Sequence, residues 1–204
     1  MKRLCVYISA FVFLIWASAA QAAKVGGPAP GFTATDSLGK THKLSEYKGR
    51  FVVLEWHNAG CPYVVSQYKG KMQRLQKKWA KKGVLWFSVI SSAPGKQGAA
   101  DAAEANEDVK KHRAFPAATF LDSKGTIARA YQAKTTPHMF VINPKGILIY
   151  NGAIDNVPME DGAVKKNKDG EAFVNYVDKA LKEAMKGEDV SIPTTAPYGC
   201  GVKY

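Results

Sequence analysis

The run Phe51–Trp56, FVVLEW, constrains this chain more than any other stretch. It is a continuous apolar, β-rich segment, the mark of a strand covered on both faces. A short loop leads to Cys61-Pro62, and from Tyr63 to Lys82 the residues Val64, Val65, Tyr68, Met72, Leu75 and Trp79 recur at three- and four-residue steps. That spacing predicts one amphipathic helix, stopped at Gly83. Val84–Ile90, VLWFSVI, is then a second buried strand. A buried strand, a helix and another buried strand call for layers in which helices cover a sheet.

The rest of the chain follows the same plan. Gly26-Gly27-Pro28-Ala29-Pro30-Gly31 is turn-rich, and Asp36-Ser37-Leu38-Gly39 turns between short strands at Phe32–Thr35 and Thr41–Leu44. A helix is expected over Ala99–Arg113, then strands at Ala117–Leu121 and Phe140–Asn143, each running into a similar turn. Ile147–Tyr150 pairs back across the second turn, residues 155–170 read as a loop, and Glu171–Lys186 is a final helix. Its apolar stripe is Phe173, Val177, Ala180 and Ala184, with Gly187 as its cap. The sum is an α/β chain with a central mixed sheet and no internal domain boundary.

The first 22 residues stand apart. Met1-Lys2-Arg3 is a short basic stretch, Leu4–Ala17 is almost unbroken apolar, and Ala20-Gln21-Ala22 has the small-x-small form that a signal peptidase cuts. We expect a secretory signal peptide at 1–22, a domain over 23–187, and an extended tail over 188–204 that carries Cys200. The expected location is outside the cytoplasm, in the periplasm for a Gram-negative source. Contact with a membrane is then expected only through the signal peptide. Cys5 falls within that segment and receives no role; Cys61 and Cys200 remain as an even pair in an oxidising compartment. Lys+Arg 29 against Asp+Glu 17 gives +12, a balance that elsewhere suggests nucleic acid. Export argues against that partner, and the lysines of the 63–82 helix read as a solvated face.

Cys61 is the residue whose setting carries chemistry. It follows a buried strand and starts a helix, with Pro62 at the favoured first helical position. Unpaired N–H groups there favour a thiolate, and the basic helix adds a screened push in the same direction. Cys61 is therefore expected to be more acidic than a free thiol. A buried structural cysteine is the plainer alternative.

Five stretches carry a resemblance. Val25–Leu54 resembles the opening of redoxin domains, Trp56–Pro62 falls where those domains keep their reactive cysteine, and Thr136-Pro137 followed by Phe140–Asn143 resembles the threonine–cis-proline loop and its strand. Tyr150–Asp155 and the ending Gly199–Tyr204 look like a peroxiredoxin-like subgroup of the alkyl hydroperoxide reductase/thiol-specific antioxidant family. The likeness covers roughly residues 24–204. Two departures stand out. Asn58 holds the place of the first cysteine in a Cys-x-x-Cys site, and Leu54 and Asn58 hold the proline and threonine places of a Pro-x-x-x-Thr-x-x-Cys site.

The resemblance implies a thioredoxin-like fold, a central mixed β-sheet flanked by helices. It also implies a thiol-dependent oxidoreductase with antioxidant activity, reducing a peroxide or a disulfide. Cys61 would be the nucleophile and Cys200 its resolving partner, brought back by a mobile tail rich in Pro, Thr and Gly. Thr136 and Pro137, joined by a cis bond, would present backbone to substrate. Asn58 would offer an amide to a peroxide oxygen or the thiolate. No organic cofactor is implied; an external dithiol or thioredoxin-like reductant would close the cycle. Two other readings are a non-catalytic thioredoxin-fold binding protein and a copper-handling protein that uses Cys61 with His57 or His138.

Overall fold

The computed structural model describes residues 22–157, 159–160, 163–164 and 172–204. The signal-peptide segment up to residue 21 and much of the 155–170 loop lie outside the described residues. Five strands form the central sheet, in the order β5-β4-β3-β7-β8. These are β3 (Val52–Trp56), β4 (Leu85–Ile90), β5 (Ala118–Leu121), β7 (Met139–Ile142) and β8 (Leu148–Gly152). β3 runs parallel to β4 and β4 to β5, whereas β7 is antiparallel to both β3 and β8. The sheet is mixed, as expected. Two short strands, β1 (Thr33–Thr35) and β2 (Thr41–Lys43), pair as a hairpin beside it.

Alternation along β3 divides the core into two layers. Val53 points to one face, where it meets Val64, Tyr68, Met72, Trp79, Val177 and Leu181. Val52, Leu54 and Trp56 point to the other, among Phe87, Phe120, Tyr131 and Phe140. The first layer is closed by helices α1 (Pro62–Gln67), α2 (Lys71–Ala80) and α5 (Tyr176–Met185). The second is closed in part by α4 (Thr126–Tyr131). Helix α3 (Ala102–His112) begins at Asp101, whose side chain accepts from the Glu104 N–H while Glu104 reaches back to the Asp101 N–H.

Four expectations are corrected. The helix expected over 63–82 is two helices, because Gly70 takes φ +108 and interrupts the ladder. Gln73 repairs the break: its Oε1 accepts from the Gly70 N–H at 3.0 Å and its Nε2 donates to the Tyr68 carbonyl at 2.6 Å. The apolar stripe continues across the gap, so periodicity alone reads it as one helix. Helix α4 was hidden behind the Asp122–Gly125 turn. Asp122 caps it from upstream by accepting from Ile127 and Ala128.

The last helix starts later than expected, at an Asn175 cap that accepts from Asp178, and Phe173 lies outside it, largely exposed. Within the expected loop, β9 (Met159–Glu160) and β10 (Ala163–Val164) pair antiparallel. Two further short strands flank the cysteines: β6 (Thr135–Thr136) and β11 (Cys200–Gly201).

Candidate active site

Cys61 sits at the N-cap of α1 with Pro62 at the first helical position, as its sequence setting requires. The loop before it is tightly held. The Cys61 N–H donates to the Asn58 carbonyl at 3.0 Å, and the Asn58 Oδ1 accepts from the Gly60 N–H at 2.9 Å. A second loop clamps the first from outside: Asn58 Nδ2 donates to the Gln97 carbonyl at 3.2 Å, and Gln97 Nε2 donates to the Gly60 carbonyl at 2.7 Å. Gly98, at φ +82, lies so close that a Cβ there would collide with the Asn58 amide. Asn58 was expected to face substrate. Its amide instead fixes the cysteine loop, because the Gln97 carbonyl and the Gly60 N–H already take it.

The Thr136–Pro137 bond is cis, as expected, and the loop it belongs to lies against Cys61. The Cys61 thiol is fully buried and donates to the Thr136 carbonyl at 3.0 Å. β11 pairs antiparallel with β6, with Cys200 in register with Thr136. Thr136 Oγ1 also donates to the Cys200 carbonyl at 3.4 Å. The expected mobile tail is therefore already docked, with Cys200 beside the Thr136 carbonyl that holds the Cys61 thiol. Gly199 takes φ +133, and a Cβ there would collide with the Thr136 carbonyl. This glycine serves close approach, not the free swing expected of it. Both cysteines are free thiols.

The two sulfurs differ in acidity. Burial works against a Cys61 thiolate, but hydrogen bonds from the Cys200 thiol, the Thr136 hydroxyl and the Val64 and Cys200 N–H groups outweigh it and hold Cys61 below the usual thiol value. Burial and the neighbouring Cys61 push Cys200 up to about 11. Bonds at the sulfur, not the lysines of α2, account for the lowered value.

Sequence reasoning missed a buried charge cluster at the other end of the same loop. Glu55, in the centre of β3, is fully buried and accepts from Tyr68 Oη at 2.8 Å, Trp86 Nε1 at 2.6 Å and Gln76 Nε2 at 3.2 Å. His57 Nδ1 lies 3.6 Å from Glu55, while its Nε2 donates to Asp108 at 2.8 Å; Asp108 also pairs with His112 at 3.0 Å. Burial alone would strip His57 of its proton, but Asp108 and Glu55 outweigh it and raise the group to about 9. The one signal was an acid inside an otherwise apolar strand.

His138 is the reverse case. Its Nδ1 accepts from the Lys134 N–H at 3.1 Å, so Nε2 carries the proton and donates to Asn151 Oδ1 at 2.7 Å. Burial lowers it to about 4. Both nitrogens of His138 are hydrogen-bonded, whereas the buried His57 Nδ1 has no hydrogen-bond partner and only the Glu55 carboxylate at 3.6 Å. Among the described residues no group of three or more His, Cys, Asp or Glu side chains is arranged to hold a metal ion.

Comparison with known proteins gives the family and the fold. Residues 25–151 match the family described as AhpC/TSA. No curated protein matches. A hypothetical protein of Sinorhizobium meliloti superposes with a TM-score of 0.74 at 20% identity, covering 90% of this chain and 96% of its own. An uncharacterized conserved protein of Geobacillus kaustophilus does so with a TM-score of 0.74 at 19% identity, covering 92% and 94%. The thioredoxin domain of a thiol-disulfide oxidoreductase from Bacteroides vulgatus covers 64% of this chain and 89% of its own, with a TM-score of 0.51 at 17% identity. At these identities the likeness is one of fold, and the fold is thioredoxin-like.

Proposed function

Because the chain belongs to the AhpC/TSA family, we propose that it is a thiol-based oxidoreductase in which Cys61 attacks a peroxide and Cys200 resolves the product. The observation that carries this reading is the register of β11 on β6: it sets Cys200 opposite Thr136, the residue whose carbonyl holds the Cys61 thiol. In the first step the Cys61 thiolate forms an S–O bond as the O–O bond breaks, and the departing oxygen takes a proton. The Cys61 sulfenic acid is then attacked by Cys200. An S–S bond forms, the S–O bond breaks, and water leaves.

The residues around the sulfur have distinct parts in this scheme. The Thr136 hydroxyl and the Val64 N–H stabilise the thiolate, Pro137 fixes the loop that carries Thr136, and Asn58 holds the cysteine loop. An external dithiol or thioredoxin-like reductant closes the cycle. It meets Cys200 first, because Cys61 is fully buried and Cys200 is half-buried. Cys61 is also the better leaving thiolate, since the lower-pKa sulfur departs faster. With the 1–22 segment read as a signal peptide, this antioxidant activity would operate outside the cytoplasm.

Treating the protein with one equivalent of hydrogen peroxide and mapping peptides without reduction tests the scheme. The expected product is a peptide pair joined through Cys61 and Cys200, lost in Cys61→Ser. Recovery of Cys61 as sulfinic acid with Cys200 free would reduce the scheme to one cysteine. No oxidation of Cys61 would remove the peroxidase reading.

A further inference from the structure

We propose that residues 199–204 are the specificity filter of this site: docked on β6, they restrict Cys61 to oxidants of peroxide size and shut out extended polypeptide disulfides. The inference rests on Cys61 being the redox nucleophile, and adds to it which oxidants reach that sulfur. A strand edge with free N–H and C=O groups is a template for any extended chain, whose backbone it pairs as an added strand. The Thr135–Thr136 edge, directly over Cys61, is such a template, and the protein fills it with its own Cys200 and Gly201.

The tail is fastened on both sides of that contact. Upstream, the Tyr198 hydroxyl donates to Asp155 and accepts from Gln67 Nε2 at 3.3 Å. Downstream, the Val202 N–H donates to the Lys134 carbonyl at 3.1 Å, and the Lys203 carbonyl accepts from the Ala93 N–H at 2.8 Å. The Tyr204 ring covers the Arg129 guanidinium at 4.6 Å and packs on Gly125. A polypeptide seeking the β6 edge must displace all of these contacts. A peroxide needs only a transient gap beside a fully buried sulfur. Gly199 makes the close fit feasible, since a side chain there would strike the Thr136 carbonyl.

The test uses the full chain carrying Cys200→Ser, so that adducts remain on Cys61. Gly199→Ala and, separately, Val202→Pro are added to loosen the tail; the second removes the N–H that binds Lys134. Two probes are compared by mass spectrometry: hydrogen peroxide, and a disulfide-linked pair of octapeptides. In the second reaction the Cys61 thiolate bonds to one peptide sulfur, the peptide S–S bond breaks, and the other peptide leaves as a thiol after taking a proton. If the docked tail leaves the edge open a tenth of the time or less, loosening it raises the peptide rate about tenfold or more. The peroxide rate should stay within about threefold.

Equal rises for both probes would overturn the filter and leave a general lid. An unchanged peptide rate in both folded variants, with peroxide still oxidising Cys61, would overturn the filter while the nucleophile reading stands. Failure of peroxide to oxidise Cys61 in every variant would overturn that underlying reading instead. Circular dichroism establishes which variants are folded, and if only one folds its result decides the matter.

Discussion

His57 and His138 sit at the same end of neighbouring strands, close enough that the Trp56 N–H donates to the His138 carbonyl at 2.9 Å. Both are almost fully buried. Yet His57 keeps its proton to about pH 9, and His138 refuses one until about pH 4. Desolvation pushes both the same way, toward the neutral ring. The difference lies in the partners: two carboxylates face His57, whereas a backbone N–H and an amide oxygen face His138. Burial sets the size of the stakes, and the first neighbours decide the charge.

The comparison breaks most visibly under truncation. His57→Leu strands Glu55 as a buried acid without a cation and leaves half-buried Asp108 with His112 alone, and should cost about 3–5 kcal/mol in urea unfolding. His138→Leu leaves only an amide and a backbone N–H without partners, and should cost about 1–3 kcal/mol. Equal losses would mean that His57 is not the counter-charge of its cluster.

pH sharpens the contrast, because the two groups should pull stability in opposite directions. The folded value of His57 lies above the unfolded value of about 6.5, so its contribution is complete below that pH and fades as pH rises through about 9. His138 is depressed, so its contribution is complete above about 6.5 and fades as pH falls through about 4. Each slope should carry on the order of 3 kcal/mol. Unfolding curves from pH 4 to 9.5 for the unaltered chain, His57→Gln and His138→Asn isolate the two. A parent curve that rises through the alkaline range would contradict the His57 assignment.

Cys61 gives the smallest effect, since hydrogen bonds tune it without any full counter-charge. Thr136→Val removes one hydroxyl donor at nearly constant shape and should raise the midpoint of iodoacetamide alkylation by roughly half to one pH unit. Cys200 should label only at higher pH in the parent protein. A Cys61 midpoint unmoved by the substitution would show that the Thr136 hydroxyl does not reach the thiolate.

These contrasts also show what could be read from residues in order. The central strands and the position of Cys61 at a helix start are local properties that the chain displays within a few residues, whereas the cis bond at Thr136-Pro137 was expected only through the family resemblance. The cluster around Glu55 is not local. Its partners Tyr68, Gln76 and Trp86 lie 13, 21 and 31 residues away and meet only after the sheet and α2 have packed. Gly70 breaks a helix whose apolar stripe runs straight through it, and Gln73, which repairs the break, is an ordinary helical residue by composition. Gly199 was legible as unusual but not in its role. Flexibility and close approach both call for glycine, and only the Thr136 carbonyl beside it decides between them.

The bond from Trp86 Nε1 to the Glu55 carboxylate at 2.6 Å has an optical consequence. An indole's emission responds to nearby charge, and here the charge balance at the carboxylate changes when His57 gives up its proton. The protein thus carries an internal fluorophore wired to a proton that no solvent-borne dye can reach. Trp56 donates to Ser91 and Trp79 to Asp178, so neither indole bonds to that carboxylate, and each supplies a reference colour within the same molecule. Alkaline titration followed by fluorescence would therefore read the state of the cluster while the chain remains folded.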